Sequence, residues 1–179
     1  MQVDDNSRLV PAGPAHRATL MSWLPDAHSC RQWGGPWFRY PFDGETFDED
    51  CGWHERPGLA LEEAAAAGSG NDLAAPMLAF GRFYRRLDRC HLGHLIVAPQ
   101  QRGRGLGATL VRGLCAYGSR QLGVEECSLF VMKDNAVARS LYHRLGFRSE
   151  PYPEDADWLD LCDYMVAPLN SLKLSLPIT

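Results

Sequence analysis

Residues 97–107 read Val-Ala-Pro-Gln-Gln-Arg-Gly-Arg-Gly-Leu-Gly, and this stretch decides the fold. It separates a short apolar run from a long amphipathic segment, which predicts a strand, a glycine-rich turn and then a helix. The first turn of a helix leaves backbone N–H groups without partners, and these groups favour an anion such as a phosphate. Glycine lets the phosphate reach the backbone, and arginine adds positive charge. The residues concerned are Arg102, Gly103, Arg104, Gly105 and Gly107.

The segments around this turn alternate between strand and helix signals. The predicted order is strand 77–87, strand 90–97, helix 104–122, strand 127–132, helix 137–145 and two short strands at 147–149 and 163–166. The strand–helix–strand unit from Cys90 to Met132 predicts a right-handed parallel crossover. Gly123 and Gly146 end the two helices, and Asp134 or Asn135 can cap the second one.

The first 76 residues carry weaker signals. Residues 8–11 predict a strand, and residues 14–24 have the apolar spacing of a helix. Residues 32–42 are interrupted by glycine and proline, which predicts loops. Helix propensity favours a helix at 60–67, followed by a turn at 68–72.

Length and composition suit one globular domain. The chain has 179 residues, 45% of them hydrophobic, which argues against disorder. The net charge is −4 with no basic run, so a nucleic-acid partner is not expected. No apolar run reaches about 18 residues and no signal peptide is evident, so we expect a cytoplasmic protein without a membrane partner. The six cysteines form no Cys-x-x-Cys pair, so a disulfide framework is not expected.

Other phosphate ligands fit the glycine turn less well. A Walker loop requires a lysine after its glycines, whereas Gly107 is followed by Ala108 and Thr109. The relaxed dinucleotide fingerprint is matched from Gly103 to Ala108, but only one further helix follows, and Asp134 lies late for a ribose contact.

Two motifs together resemble the GNAT N-acetyltransferase family. The glycine turn is similar to the family's acetyl-CoA signature, Arg/Gln-x-x-Gly-x-Gly/Ala. Residues 135–147 are similar to its second motif, Asn-x-x-Ala-x-x-Leu-Tyr-x-x-x-Gly-Phe. The resemblance covers residues 77–168, and the earlier Trp33–Pro36 stretch is similar to an uncharacterised bacterial branch.

The resemblance implies an α/β (α+β) GNAT fold. We expect a mixed sheet of about six to seven strands with helices on both faces, splayed between the strands that end at Val97 and Met132. Residues 1–168 would form a single domain, with an acceptor-side region at 1–76 and an acetyl-CoA-binding core at 77–168. Residues 169–179 would be a tail.

The resemblance also implies acetyl-CoA as co-substrate. A metal is not expected, because strand alternation turns Cys90 and His94 to one side and His91 to the other, and no fourth ligand is evident. The pantetheine arm would pair with the opened strand, and the N–H of Val97 would stabilise the oxyanion of a tetrahedral intermediate. The acetyl group would pass to a primary amine of a small molecule or peptide. The oligomeric state stays open, a homodimer included. The expected cofactor-binding residues are Leu95, Ile96, Val97, Arg102, Gly103, Arg104, Gly105, Leu106, Gly107, Ala108, Asn135, Ala138 and Tyr142.

Two residues are candidates for proton transfer. Tyr142 occupies the family position of the acid that protonates the leaving thiolate. His91 is the candidate base, since strand alternation places it on the face of Leu95 and Val97; the alternative is a half-exposed strand histidine. His94 has the opposite parity and is expected to be structural.

The acceptor side leaves further alternatives open. Residues 151–160 combine acids with Trp158 and would suit a cationic amine, or they form a solvated acidic loop. Phe130 stands where one branch of the family places a glutamate. This favours, as an alternative function, a CoA-binding sensor or interaction module without turnover. A nucleotide-linked oxidoreductase is a third hypothesis.

Overall fold

Eight strands form one mixed sheet in a computed structural model, which describes residues 2–4, 7–64 and 75–172. The strands are β1 Gln2–Asp4, β2 Ser7–Pro11, β3 Gly58–Glu63, β4 Met77–Arg86, β5 Arg89–Val97, β6 Glu126–Met132, β7 Arg148–Ser149 and β8 Cys162–Pro168. Their order across the sheet is β1-β2-β3-β4-β5-β6-β8-β7. Only β5 and β6 pair in parallel among these neighbours, as the crossover predicts.

Within the described ranges, five α-helices cover the two faces of this sheet. They are α1 Pro14–Ser22, α2 Ala27–Gly34, α3 Gly44–Cys51, α4 Leu106–Leu122 and α5 Ala136–Leu145. Apolar residues of α4 and α5 pack into one core, here called the α4 face, which includes Leu92, Leu110 and Tyr142. Helices α1–α3 pack into a second core on the α1–α3 face, built around Trp33 and Phe80. The predicted mixed sheet with helices on both faces is therefore confirmed.

The sheet opens between its two parallel strands. Pairing joins β5 to β6 only from Cys90–Cys127 to Leu92–Leu129, which is three of the nine residues of β5. Beyond Leu92 the strands have no further paired positions, and this is the predicted splay. A β-bulge in β5 follows at once. The pairing with β4 passes from Gly93–Arg82 to Ile96–Phe80, and His94, within the bulge, has a φ of 53°.

Both helices predicted for the second half are present in the structure. Helix α4 begins at Leu106 and ends before Gly123, whose φ of 64° is the left-handed conformation of a helix C-cap. Helix α5 begins after Asn135, whose side chain accepts the N–H of Ala138. Of the two predicted caps, Asn135 is therefore the one that the helix uses. The side chain of Asp134 accepts a hydrogen bond from Gln32 instead.

In the first half, the strand predicted at 8–11 is present as β2 and the helix predicted at 14–24 as α1, but one other element differs. The helix predicted at 60–67 is wrong where it is described, because residues 60–63 belong to β3. Ala60 pairs with Val10 on one side and Phe80 on the other, and this two-sided pairing outweighs helix propensity. The rest of that helix and the turn at 68–72 lie outside the described residues.

Helix α2, which includes Gln32 and Trp33, replaces the start of the loop predicted at 32–42, and helix α3 lies where the sequence gave no prediction. Asp26 and Asp43 cap them by accepting backbone N–H groups three residues later. This Asp-x-x-Ser/Thr spacing is a start signal that the sequence does contain.

No helix in the described ranges combines the length and the apolar character needed to cross a membrane.

Candidate functional site

The N-terminus of α4 lacks a side-chain cap. Helices α2, α3 and α5 each begin with a carboxylate or amide that accepts a backbone N–H group. The N-cap of helix α4 is Gly105, and within the described part of the chain no side chain performs this role. The first N–H groups of α4 are therefore available to an anion, in the positive end of the helix dipole.

The three glycines of the turn serve two purposes. Gly103 and Gly105 both have a φ of 81°, a conformation that favours glycine, and a Cβ at either position would meet open space. Gly107 instead allows close packing, because its Cβ would lie 3.1 Å from Leu141 Cδ2 and 3.7 Å from Val97 Cγ2. Gly103 and Gly105 thus keep the backbone accessible, whereas Gly107 lets α4 pack closely against α5 and β5.

Two exposed arginines flank these amides. Arg102 and Arg104 are both exposed, and neither forms a salt bridge with a carboxylate of the described residues. Arg104 hydrogen-bonds Gln101 through its guanidinium, and Arg102 Nε lies 3.5 Å from Val97 O. Their positive charges are therefore not neutralised in place. The turn has both the donors and the charge to hold a pyrophosphate.

The free edge of β5 lies next to this turn. Ala98 donates its N–H to Leu78 O of β4, and peptide groups alternate in direction along a strand. The N–H and C=O groups of Leu95 and Val97 therefore point away from β4, into the splay. Ile96 packs its side chain with the α1–α3 core. An extended amide chain can pair with this edge as an added strand would.

Tyr142 lies on the α4 face of the splay. Its side chain is 7% exposed and packs edge-on against Phe147, with ring centroids 6.0 Å apart. Burial raises the pKa of Tyr142 above its ordinary value, so the phenol keeps its proton at neutral pH. It can therefore donate a hydrogen bond, whereas as an acid it is weaker than an ordinary tyrosine.

His91 does not share a face with Leu95 and Val97. The bulge at His94 adds one residue to β5, so the alternation shifts and the parity prediction is wrong for this strand. His91 is buried, and its Nδ1 lies 2.9 Å from Ser128 Oγ. Its pKa falls from 6.5 to about 3, chiefly through burial and then through the charges of Arg86 and Arg56.

His94 lies at the start of the splay. Its carbonyl accepts a hydrogen bond from Trp33 Nε1 at 2.8 Å, and its ring lies 4.8 Å from that indole. Burial, then the charges of Arg82 and Arg56, lowers the pKa of His94 to about 3. Both strand histidines are therefore neutral at physiological pH. Within the described residues, no cluster of three or more His, Cys, Asp or Glu side chains could hold a metal ion.

We expect acid to destabilise the fold through these two histidines. Their folded-state pKa values of about 3 lie below the ordinary 6.5, so the unfolded chain binds more protons as the pH falls from 6.5 to 3. Between pH 7 and pH 5 each should lower the free energy of unfolding by about 2 kcal/mol. Urea unfolding of the wild type and of His91→Gln at both pH values measures this. A fall of the same size in both proteins would contradict the assignment for His91.

The acidic loop points its charges outward. Glu154, Asp155, Asp157 and Asp160 are exposed, whereas Tyr152 and Trp158 are half-buried. The aromatic rings contact Phe130 of β6, with centroids 5.1 Å away for Tyr152 and 4.6 Å for Trp158. The structure therefore matches a solvated acidic loop on an aromatic base.

The sequence did not indicate the contacts that α2 makes around the splay. Trp33 binds the bulge carbonyl, and Gln32 Nε2 donates to Asp134 Oδ1 at 2.8 Å, although the two residues are 102 positions apart. Gln32 Oε1 is buried and makes no hydrogen bond to a described residue. Such long-range contacts leave no local sequence signal.

Comparison with known proteins decides the family. A model of the acetyltransferase (GNAT) family matches residues 27–147, about two thirds of the chain. The chain belongs to the GNAT acetyltransferase family. Mycothiol acetyltransferase of Tsukamurella paurometabola is 34% identical over 143 residues, covering 76% of this chain and 46% of that protein. The uncharacterised N-acetyltransferase YobR of Bacillus subtilis is 39% identical over 56 residues, covering 31% and 22%. The chain spans less than half the length of either relative.

Solved structures confirm the GNAT fold. Spermidine N-acetyltransferase of Vibrio cholerae, in complex with CoA and spermine, superposes with a TM-score of 0.68 at 16% identity, covering 94% of this chain and 98% of that one. An acetyltransferase of Agrobacterium tumefaciens gives 0.67 at 15% identity, covering 90% of both chains. At these identities the likeness concerns the fold alone.

Proposed function

We propose that this GNAT chain is an acetyl-CoA-dependent N-acetyltransferase that acts on a primary amine of a small molecule or peptide. The observation that carries the proposal is the uncapped, glycine-lined N-terminus of α4 beside the free edge of β5. We also propose that residues 1–168 act as a single domain. A cytoplasmic location and a homodimer remain predictions.

The described residues fit acetyl-CoA, the acyl donor that the family uses. The backbone N–H groups from Gly103 to Gly107 would hold the pyrophosphate, and Arg102 and Arg104 would add charge; the N–H of Ala108 donates to Gly105 O at 2.9 Å, so Ala108 would contribute by position alone. The free edge of Leu95 and Val97 would pair with the pantetheine amides, with Ile96 between them. Leu106 at the start of α4, and Asn135 and Ala138 at the start of α5, would also contact acetyl-CoA. Asn135 fixes the first turn of α5 by accepting the N–H of Ala138.

Acetyl-CoA supplies an activated acyl group as a thioester. The N–H of Val97 points into the splay and would donate to the oxygen that becomes negative. Tyr142, neutral and buried on the α4 face, would hydrogen-bond the departing thiolate and remains the predicted acid, but its raised pKa makes it a weak proton donor. With the leaving group on that face, the amine approaches from the α1–α3 face. His91 remains the predicted base, but its lowered pKa makes it a weak proton acceptor, and water is the alternative.

The alternative function is a CoA-binding module without turnover. Phe130 favours this alternative, because it occupies the position on β6 where one branch of the family has a glutamate that would serve as base. Among the relatives, the mycothiol and spermidine enzymes are described as acetyltransferases, which supports turnover.

A thiol-release assay separates the two functions. We expect CoA to appear when acetyl-CoA and the chain are mixed with a panel of primary amines, at a rate proportional to protein concentration. The matched control replaces each amine with its N-acetyl derivative, which has no nucleophilic nitrogen. Protection from heat by acetyl-CoA, without thiol release on any amine, would favour the module.

A further inference from the structure

The two parallel strands separate next to Phe130. Leu92 and Leu129 are the last paired residues, so Phe130 is the first residue of β6 beyond the junction. It lies on the α1–α3 face, because its ring contacts His91 at 5.1 Å, whereas Leu129 packs in the α4 core. The facing position on β5 is Gly93, which has no side chain. An amine that approaches from this face therefore passes beside Phe130.

Four aromatic rings form a cluster at this place, here called the aromatic cluster: Phe130, Tyr152, Trp158 and Tyr164. Their ring centroids lie 4.6–6.0 Å apart in the contacts that join them. Phe130, Tyr152 and Trp158 are each only half-buried, so aromatic surface remains accessible beside the splay. Such a cluster could bind a ligand cation through its ring faces, or an apolar body through simple contact.

A cation of the chain itself already occupies the aromatic cluster. The guanidinium carbon of Arg86 lies 5.1 Å from the Phe130 ring centroid and 5.2 Å from that of Tyr152. Arg86 Nε donates to Tyr152 Oη at 2.9 Å, and Tyr152 in turn donates to Glu154 at 2.5 Å. This chain of contacts fixes the arginine over the rings.

A second arginine lies over another ring of the aromatic cluster. Arg89 lies over Tyr164 at 6.0 Å and is itself paired with Glu126 and Glu150. Glu154 is held by Tyr152. Two guanidinium groups therefore lie over ring faces of the cluster, where a second ligand cation would meet like charge, while Asp155, Asp157 and Asp160 of the same loop are exposed to solvent.

We propose that the acceptor is a primary monoamine with an uncharged aromatic or apolar body, and that polyamines are poor substrates. This inference rests on the proposed function. The accessible rings of Phe130 and Trp158 contact the body of the acceptor, and Arg86 excludes a second positive charge. Arg86 is thus a specificity-determining residue.

Paired kinetics with 2-phenylethylamine and spermidine test this inference. We expect kcat/KM for 2-phenylethylamine to exceed that for spermidine by at least tenfold. Arg86→Gln should shift the ratio toward spermidine by about tenfold, because the rings become free for a ligand cation. Arg85→Gln is the matched control: Arg85 is the preceding residue on β4 and hydrogen-bonds Leu122 O at the end of α4, so the ratio should not change.

Several outcomes would overturn the inference. Preference of the wild type for spermidine, or an unchanged ratio in Arg86→Gln, contradicts it while leaving N-acetylation intact. If Arg86→Gln does not fold, Phe130→Leu decides: it keeps an apolar side chain but removes the ring, and an unchanged preference for 2-phenylethylamine contradicts the inference. Absence of thiol release with every amine, despite acetyl-CoA binding, overturns the proposed function as well.

Discussion

Gly105→Glu is expected to abolish the rise in melting temperature that acetyl-CoA gives to the wild-type chain. At a concentration about 100-fold above Kd, a ligand stabilises a fold by about 2.7 kcal/mol, which is about 5–10 °C for a chain of this size. Glutamate places a side chain and a negative charge where the first N–H groups of α4 are open. We expect Kd for acetyl-CoA to increase at least 100-fold, measured by thermal shift and calorimetry.

The control for this variant is Gly123→Glu at the other end of the same helix. Gly123 also has a positive φ, 64° against 81° for Gly105, and its Cβ would also meet open space. Both variants therefore pay a similar backbone cost, of about 1–2 kcal/mol. Gly123→Glu should keep the full thermal shift. Equal loss in both variants would mean that strain in α4, and not the phosphate site, explains the result.

Tyr142→Phe is expected to lower kcat about 100-fold with little change in KM for acetyl-CoA. The substitution removes only the hydroxyl, and general acid catalysis contributes about 100-fold or more. The ring remains buried against Phe147, so the fold should be preserved. Steady-state rates of thiol release, with the melting temperature recorded in parallel, measure the effect.

Tyr117→Phe is the matched control for Tyr142. Tyr117 lies on α4 and packs edge-on against Phe83, with ring centroids 5.7 Å apart, away from the splay. Removal of its hydroxyl should leave kcat within about twofold. If Tyr142→Phe also keeps its rate, Tyr142 contacts the sulfur or packs only, and the thiolate takes its proton from water.

The second half of the fold could be predicted because its signals are local. The amphipathic spacing of α4, the glycines after α4 and α5, and the cap at Asn135 all depend on residues within one or two turns. The type of these helices was predicted correctly for this reason. The proposed phosphate site is equally local, since adjacent residues of one turn would supply both the amides and the arginines.

The faces of β5 could not be predicted by alternation alone. One bulge residue, His94, moves the following side chains to the other face, and nothing in its sequence marks the positive φ. The parity assigned to His91 failed for this reason. Similarly, Ala60 follows its strand neighbours and not its own propensity, because burial between two strands outweighs a preference of a fraction of a kcal/mol.

The acceptor side depends on contacts between distant segments. Arg86 and Tyr152 are 66 positions apart, and no sequence pattern showed that the arginine would lie over the rings of residues 130 and 152. The composition of the loop suited either a cationic amine or a solvated acidic loop; the fold turns its acids to solvent and places the guanidinium of Arg86 over two of the rings. Composition shows which side chains such a loop carries, whereas the direction in which they point depends on the strands that the loop packs against.

A crystal structure of the chain with acetyl-CoA tests the central claim most directly. We expect pyrophosphate oxygens within hydrogen-bonding distance of backbone N–H groups between Arg102 and Ala108, and pantetheine amides paired with Leu95 and Val97. A structure in which the phosphates bind elsewhere, while these amides keep no ligand, would contradict the account.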